Sequence, residues 1–372
     1  MLTNTFGCVR FVYNKMLDER QANLTVGRPL TYVQSSALLT KWKRSDQSLA
    51  FLNQVPAIPL QQTLRHLDLA FKRSGRKITR PPVYKRLRGR QAAEFTRSAF
   101  TFQNGNLKLA KMPRPLNIRW SQPLPDGAMP FTVTVSRDPA NRWFVSLRCD
   151  VNVVELETSM NAVGVDLGIT TLATLSTGEK IQNPRHEKRD RRALARASHR
   201  LSKKQKGSSN QAKARVKVAR IHARIADRRR DHLHKLTTRL VRENQTIVIE
   251  RLTVNGMRRN RRLAKAISDA SWATLRGQLE YKSAWYGREL IIMDRWYPSS
   301  KTCSNCGDIN PVLTLAVRVW TCSCGTHHDR DVNAAKNLLA AGRAVAARGE
   351  GVRPSRQQSP TTTLPFVKQE GP

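Results

Sequence analysis

The segment NAVGVDLGITTLATLSTGEKIQ, residues 161–182, sets the architecture of the C-terminal half of the chain. Its apolar runs are short and are separated by turn signals at Gly168 and at Thr177-Gly178. This pattern predicts three consecutive strands. The first strand carries Asp166 among apolar neighbours, where an unpaired carboxylate is costly. Asp166 therefore either caps the turn at Gly168 or belongs to a functional site.

Two more acids stand at the ends of predicted elements. Glu250 closes the buried-strand pattern TIVIE, and Asp331 lies in DRDVNAAKNLL, where the last helix is predicted to begin. Asp329 suits the helix N-cap at least as well as Asp331, which leaves one acid spare. Taken singly, Glu250 is explained as the residue at which the chain leaves the strand, and Asp331 as the N-cap of the last helix.

Considered together, Asp166, Glu250 and Asp331 indicate a metal site. In a β-β-β-α-β domain, two strand ends and a helix start can converge at one edge of the sheet. Carboxylates that lie so close together repel one another unless cations lie between them. Mg²⁺ prefers such oxygen ligands and keeps waters for a phosphate substrate. Two ions about 4 Å apart would support hydrolysis of a phosphodiester bond, with water in line with the departing 3′ oxygen and a 5′-phosphate product.

The charge of the chain points to nucleic acid. It has 66 Lys+Arg against 27 Asp+Glu, a net charge of +39. A field of this size favours a polyanion and argues against a small-molecule substrate. Residues 185–230 hold 18 Lys/Arg and three Asp/Glu in a predicted basic helical hairpin spanning 185–242. The hairpin is either a solvated helical face or a surface for a nucleic-acid backbone. Its candidate contacts are Lys203, Lys204, Lys206, Arg228, Arg229 and Arg230.

Four of the six cysteines form two closely spaced pairs. Cys303-Ser-Asn-Cys306-Gly and Cys322-Ser-Cys324-Gly both end in glycine, as tight metal-binding turns require. Four thiolates predict a closed, structural Zn²⁺ site. The second pair has one residue between its cysteines, where the first pair has two. His327 or His328 is therefore the alternative fourth ligand. Two unrelated pairs of reduced cysteines are the remaining interpretation.

The rest of the sequence places these features in a soluble, multidomain chain. Residues 1–73 show helical periodicity, and residues 96–155 show two hairpin patterns. The basic stretch 74–95 is either an arm along phosphates or a solvated linker. The sequence has no run of apolar residues long enough to span a membrane and no signal-peptide pattern. We expect a cytoplasmic protein, associated with the nucleoid when bound to DNA, with a disordered tail at 348–372.

Seven motifs, in order along the chain, resemble the TnpB family of transposon-encoded proteins, which are related to type V CRISPR effectors. They are FGCVRFVYN (6–14), GVDLGI (164–169), IVIERL (247–252), MRRNRRLAKAISDASW (257–272), LEYKSAWYGREL (279–290), YPSSKTCSNCG (297–307) and HDRDVNAAKNLL (328–339). Members of the family usually begin earlier, with a basic-aromatic strand of their wedge barrel that this sequence lacks. Either an edge of the barrel is open or the start codon is misassigned.

The resemblance implies an α+β multidomain fold. A helical recognition region (1–73) and a β-barrel wedge domain (74–158) precede a RuvC-like nuclease domain of the RNase H fold (159–300). A zinc-binding insertion (301–326) and the last RuvC segment (327–347) follow. By motif, the catalytic, Mg²⁺-binding acids are Asp166, Glu250 and Asp331, and the Zn²⁺ ligands are Cys303, Cys306, Cys322 and Cys324. Tyr32 and Gln61 fall where family members contact a short flanking DNA motif.

The resemblance also implies a guide RNA and a target DNA as partners. The expected function is that of an RNA-guided, Mg²⁺-dependent DNA endonuclease of a transposon. Two alternatives stay open at this point. One is a nucleic-acid-binding regulator without nuclease activity, against which the complete acid triad argues. The other is a strand-transferring transposase, since a DDE-type enzyme could use a similar triad.

Overall fold

The computed structural model describes residues 1–125, 127–294, 296–314 and 316–347, so the predicted tail at 348–372 lies outside the described residues. The chain divides into two compact units, Met1–Val151 and a second that begins at Asn152. The helices and strands are numbered separately in chain order below.

The first unit begins with three helices. They are α1 Leu2–Thr25, α2 Tyr32–Ser45 and α3 Ala57–Gly75, with a 3-10 helix at Gln47–Gln54 between the last two. The apolar stripe of α1 that the sequence predicts, including Phe6, Val9 and Met16, is buried. A buried ion pair between Arg20 Nη2 and Asp68 Oδ1, 2.7 Å apart, joins α1 to α3. The helical periodicity of residues 1–73 is thus confirmed.

Five strands follow in the same unit. They are β1 Gln91–Thr96, β2 Phe100–Gln103, β3 Asn106–Leu109, β4 Pro130–Arg137 and β5 Trp143–Cys149. Strands β2 and β3 form the predicted hairpin, in which Asn104 and Gly105 both take positive φ angles, as a type I′ turn requires. Strands β1, β4 and β5 form an antiparallel sheet in the order β1-β4-β5. The closed wedge barrel stays a prediction.

The second unit is built on a five-stranded mixed sheet. Its strands are β6 Ala162–Leu167, β7 Thr171–Leu175, β8 Lys180–Gln182, β9 Thr246–Glu250 and β10 Glu289–Met293, in the order β10-β9-β6-β7-β8. Strands β6, β7 and β8 are antiparallel neighbours, whereas β6, β9 and β10 run parallel. The predicted three-strand start and the later return to a central strand are both present.

Helices and two short strands complete this unit. They are α4 His186–Ser202, α5 Ser209–Glu243, α6 Val254–Met257, α7 Ala264–Ala270, α8 Trp272–Trp285, β11 Val319–Thr321, β12 His327–Asp329 and α9 Arg330–Ala347. Helices α4 and α5 form the predicted hairpin, and the Ser208 hydroxyl caps α5 by accepting from Gln211 N. The core packs the sheet's apolar residues against α5, α7 and α8.

The predicted amphipathic helix at 267–290 begins after one of its two N-cap candidates. The pattern predicts a helix with Ser271 or Asp269 as its N-cap. Ser271 occupies the N-cap position of α8, in a left-handed conformation with φ of 55°, and separates α7 from α8. Neither side chain caps α8, because Asp269 accepts from Glu187 N and pairs with Arg229. The break directs a buried carboxylate toward the basic hairpin.

Helix α9 packs against the sheet at unusually short range. A Cβ atom at Gly164 on β6 would lie 2.0 Å from the backbone oxygen of Ala335. A Cβ atom at Gly342 would lie 2.5 Å from Cγ2 of Val248 on β9. Two glycines, one on each side of the contact, therefore let the helix backbone approach the two central strands. This approach fixes where the first turn of α9 lies.

Candidate functional site

Two of the predicted acids lie at the same level of neighbouring strands. Strands β6 and β9 are parallel, and Val165 is the register partner of Ile249. Asp166 and Glu250 each follow these residues directly, near the ends of their strands. The register thus brings together two carboxylates that are 84 positions apart in the sequence.

The third acid is supplied by the start of α9. Asp331 lies in the first turn of this helix. Asp329 is the capping residue, since its Oδ1 accepts hydrogen bonds from Asp331 N and Val332 N, both at 3.1 Å. Lys180 Nζ on β8 contacts Asp329 Oδ2 at 2.5 Å and ties the cap to the sheet. The prediction that Asp329 caps the helix and leaves Asp331 spare is confirmed.

Asp331 and Glu250 lie close enough to Asp166 for their charges to affect its ionisation. Burial raises the pKa of Asp166 to about 7, and the charges of Asp331 and Glu250 add to this rise against Arg330 and Arg318. Burial also raises the pKa of Glu250. Within the described part of the chain, neither Asp166 nor Glu250 has a hydrogen-bond or ion-pair partner for its carboxylate. Two unpaired carboxylates near a third acid fit a hard divalent cation.

The carboxylate oxygens of the three acids are farther apart than the sulfur atoms of the four cysteines. In the described ranges, the four cysteines are the only group of three or more His, Cys, Asp or Glu whose ligand atoms all lie within 4.8 Å of one another. The carboxylates are therefore more widely spread. Arg318 Nη1, 3.4 Å from Asp331 Oδ1, is the cation nearest to the third acid. A site that spans two ions separated by about 3.5–4 Å is compatible with this spread.

The cysteine pairs predicted to bind zinc come together. Cys303 Sγ lies 3.8 Å from Cys324 Sγ, and Cys306 Sγ lies 3.6 Å from Cys322 Sγ. A hydrogen bond from the hydroxyl of Thr326 is the largest cause that lowers the pKa of Cys324, to about 6, and so favours the thiolate that a metal needs. Four sulfur atoms in one cluster fit the closed tetrahedral arrangement of Zn²⁺.

The backbone turns explain the unequal spacing of the two pairs. Gly307 and Gly325 both take positive φ angles, 83° and 82°. In the first turn Gly307 N donates to Cys303 O, four residues back, whereas in the second Gly325 N donates to Cys322 O, three residues back. The C-x-C half thus uses a turn that is one residue tighter. It still brings Cys324 to the cluster.

The two histidines occupy different positions. His328 is buried against Trp320, with ring centroids 4.7 Å apart, and its Nε2 lies 3.0 Å from Cys303 Sγ. His327 Nδ1 instead pairs with Thr321 Oγ1 at 2.8 Å. Of the two alternatives from the sequence, only His328 is adjacent to the cysteine cluster. Its ring can donate a hydrogen bond to a metal-bound Cys303 thiolate.

The basic hairpin presents part of its charge to solvent. Lys203, Lys204, Lys206 and Arg230 are exposed. Arg228 and Arg229 are engaged within the unit, since Arg228 Nη1 lies 3.0 Å from Asp190 Oδ2 and Arg229 Nη2 lies 2.6 Å from Asp269 Oδ1. Asp269 and Asp190 are both buried, so Arg228 joins the two helices of the hairpin and Arg229 joins α5 to α7.

The remaining predicted contacts lie in the first unit. Tyr32 opens α2 and Gln61 lies on α3, both partly exposed. Arg65, one helical turn after Gln61, places its guanidinium 5.4 Å from the Tyr32 ring centroid and donates from Nε to the Tyr32 hydroxyl. Sequence reasoning missed Arg65, Lys180, Arg318 and Asn333. A basic residue one turn from a predicted contact was the available signal for Arg65.

Comparison with known proteins identifies the class of protein that has this fold and these two clusters. A family described as "Probable transposase" matches residues 144–261, "Cas12f1-like, TNB domain" matches 272–338, and "Helix-turn-helix domain" matches 1–28. A Streptomyces pristinaespiralis protein named "Putative RNA-guided DNA endonuclease" is 59% identical, with 99% of this chain and 92% of that protein covered. Escherichia coli (strain K12) "Putative RNA-guided DNA endonuclease InsQ" is 32% identical over 96% of this chain and 93% of its own length.

This chain belongs to the TnpB family. A solved structure, "Cryo-EM structure of the Cas12f1-sgRNA-target DNA complex", matches with a TM-score of 0.54 at 15% identity, covering 91% of this chain and 82% of that one. At that identity the match concerns the fold. Among the described residues, no helix has the length and apolarity needed to cross a membrane.

Proposed function

We propose that this protein is an RNA-guided DNA endonuclease that hydrolyses phosphodiester bonds at a guide-matched target. The observation that carries the proposal is that Asp166 and Glu250, without partners among the described residues, lie near Asp331 at one edge of the mixed sheet. The names of the relatives agree with it, and so does the likeness in fold to a chain solved with guide RNA and target DNA. The strand order, with three antiparallel strands and two parallel ones, supports a RuvC-like domain of the RNase H fold.

The three acids would hold the catalytic Mg²⁺ ions. When bound, these ions would activate a water and stabilise the leaving oxygen. The chain's own part is to position the carboxylates, and a bound cation would favour their ionised form against the burial that raises the pKa of Asp166 and Glu250. Asp166 and Glu250 come from rigid strands, and Asp331 from a helix whose backbone touches the same sheet. Arg318, beside Asp331, offers a positive charge for a phosphate oxygen.

The four cysteines would hold Zn²⁺ with no open position, which makes the zinc structural. The segment from Cys303 to Cys324 would then be the zinc-ribbon insertion of the nuclease domain. It lies directly before α9, which carries Asp331. The metal would thus stabilise the loops on which the third acid depends.

Guide RNA would lie along the exposed face of the α4–α5 hairpin and the wedge domain. Lys203, Lys204, Lys206 and Arg230 are the proposed backbone contacts, with Arg228 and Arg229 acting chiefly through their ion pairs. Tyr32, Arg65 and Gln61 form a partly exposed group in the first unit for the flanking duplex motif. Phosphate contacts of this kind give affinity and position rather than sequence choice.

The proposal is tested by cleavage of a plasmid that carries a guide-matched target, with and without Mg²⁺. The intact protein should cut only with Mg²⁺ and guide, and Asp166→Ala should not cut. Equal cutting by Asp166→Ala would exclude the triad as the catalytic site. Tight RNA binding without cutting by the intact protein would instead identify a regulator.

The match to a family described as "Probable transposase" favours strand transfer as the second candidate. The same reaction separates the two functions. Hydrolysis leaves free ends with a 5′-phosphate, whereas strand transfer joins a DNA end to the target. Joined products recovered by ligation-free amplification would overturn the endonuclease proposal.

A further inference from the structure

Two buried asparagines on α9 connect the last helix to the first cysteine turn. Asn333 is 1% exposed and lies two positions after Asp331. Its Oδ1 accepts from Ser304 N at 2.9 Å, and its Nδ2 donates to Thr302 O at 2.6 Å. Thr302 and Ser304 flank Cys303, so one amide holds the backbone on both sides of a cysteine of the cluster.

The second asparagine reinforces the same contact. Asn337, one turn further along α9, donates from Nδ2 to Thr302 O at 2.6 Å and to Ser299 O at 2.8 Å. It is 4% exposed. Both amides are buried with their hydrogen bonds made, so rotating or sliding α9 past the cysteine turn would leave them unpaired and is unfavourable. The helix can therefore change position only if the turn around Cys303 moves with it.

We propose that Asn333 is a positioning residue that couples the cysteine cluster to the carboxylate site. Metal held by the cysteines fixes the turn around Cys303, the Asn333 amide transmits that position to α9, and α9 places Asp331. Metal at the cysteines thereby sets the affinity of the carboxylates for a divalent cation. This inference rests on the proposed divalent site of Asp166, Glu250 and Asp331.

The other contacts at the start of α9 do not link it to the cysteine turn as the Asn333 amide does. The Lys180–Asp329 ion pair is about a third or more exposed on both sides and is weak for that reason. Arg330 donates to Thr314 O and Ser300 Oγ, which lie outside both cysteine turns. Asn333 alone contacts the backbone on both sides of a cysteine among the residues that the structure describes.

The test compares Asn333→Ala with the intact, zinc-loaded full-length chain by Mn²⁺ titration calorimetry. Loss of a residue that orients a metal ligand typically costs about 10–100-fold in metal affinity. We expect the Mn²⁺ Kd of Asn333→Ala to rise by about that factor while zinc stays at one per chain by mass spectrometry. Lys336→Ala, exposed on the same helix, is the matched control and should keep the wild-type Kd. Asp331→Ala gives the reference for a site that has lost a ligand.

An unchanged Mn²⁺ Kd in Asn333→Ala, together with a lower melting temperature, would overturn the inference and leave Asn333 a merely structural residue. If Asn333→Ala does not fold, Asn337→Ala replaces it, with a smaller rise in Kd expected and an unchanged Kd again overturning the proposal. The proposed function can fail while this inference stands. If the wild-type chain binds Mn²⁺ but never cuts DNA, the Mn²⁺ Kd of Asn333→Ala can still be compared with that of wild type. A wild-type chain that binds no Mn²⁺ overturns both.

Discussion

Gly164 on β6 and Ala335 on α9 meet so closely that a single added carbon at Gly164 would lie 2.0 Å from the Ala335 carbonyl oxygen. No side chain can occupy that space, because the obstacle is backbone. The contact determines how near α9 lies to the central strand. It thereby determines the distance between the acid on β6 and the acid at the start of α9.

Gly164→Ala is therefore expected to destabilise the second unit by about 3 kcal/mol or more, as overpacking against backbone does. Urea unfolding followed by circular dichroism measures this. Gly277→Ala on α8 is the control, since a Cβ atom there has no neighbour within 4 Å. That control should be stabilised by about 0.5–1 kcal/mol, as is usual for Gly→Ala in a helix. Equal effects at the two positions would contradict the close approach.

Asp166 should make the stability of the metal-free protein depend on pH. Its folded pKa of about 7 lies above its ordinary 3.8, so the folded state retains a proton that the unfolded chain releases between those values. Stability contributed by that proton is therefore lost as the pH rises through this window. Asp166→Asn cannot ionise and should melt several degrees above wild type at pH 8, since one kcal/mol corresponds to about 2–4 °C in a domain of this size.

Near pH 4 the melting temperatures of wild type and Asp166→Asn should converge, because the side chain at position 166 is then uncharged in the folded state of both proteins. Differential scanning calorimetry in the presence of a chelator measures the difference at each pH. Glu157→Gln, at an exposed acid of the same unit, serves as the control and should show no comparable gain. A pH-independent difference between wild type and Asp166→Asn would contradict the raised pKa.

The fourth zinc ligand can be settled by substitution. Cys324→Ser should lose zinc, because its sulfur lies 3.8 Å from Cys303 in the four-thiol cluster. His328→Ala should keep one zinc per chain, although it loses the contact of Nε2 with Cys303 and the ring packing against Trp320. Zinc per chain, measured by mass spectrometry after gel filtration, decides. Zinc retained by Cys324→Ser and lost by His328→Ala would make His328 the ligand.

Arg229 and Arg230 are adjacent residues with different expected roles. Arg229→Ala leaves the buried Asp269 without its partner and should cost about 3–5 kcal/mol of stability. Arg230→Ala, at an exposed position, should change stability by less than about 0.5 kcal/mol. It should instead lower the slope of log K against log salt for RNA binding by about 1. Thermal melting and filter binding at several salt concentrations separate the two roles, and a reversed pattern would contradict the assignment.

The sequence was sufficient where the signal is local. Strand periodicity located β6 and β9 and showed that Asp166 and Glu250 interrupt apolar runs. Cysteine spacing and the following glycines indicated the metal-binding turns. The position before the helix showed that Asp329 suits the cap at least as well as Asp331, and the family motif then selected Asp331 for the acid site. Each of these depends on residues within a few positions of one another, where covalent geometry limits the outcomes.

What the sequence could not give depends on contacts between distant segments. Gly164 looks like any strand glycine until α9 lies on it, and Arg229 looks like any basic residue until Asp269 is buried beside it. The break at Ser271 is similar, because its left-handed backbone has no strong signature in a serine. Asn333 reads as an ordinary helix residue because its two partners lie at the cysteine turn.

The docking of α9 onto β6 also constrains how the chain acquires its structure during synthesis. Strand β6 leaves the ribosome early in the second unit, but the helix that covers Gly164 is the last described element. Contacts so distant in sequence are entropically costly and form slowly. Until α9 has been synthesised, Asp166 and Glu250 lack the third carboxylate, so a ribosome-bound nascent chain holds an incomplete acid cluster.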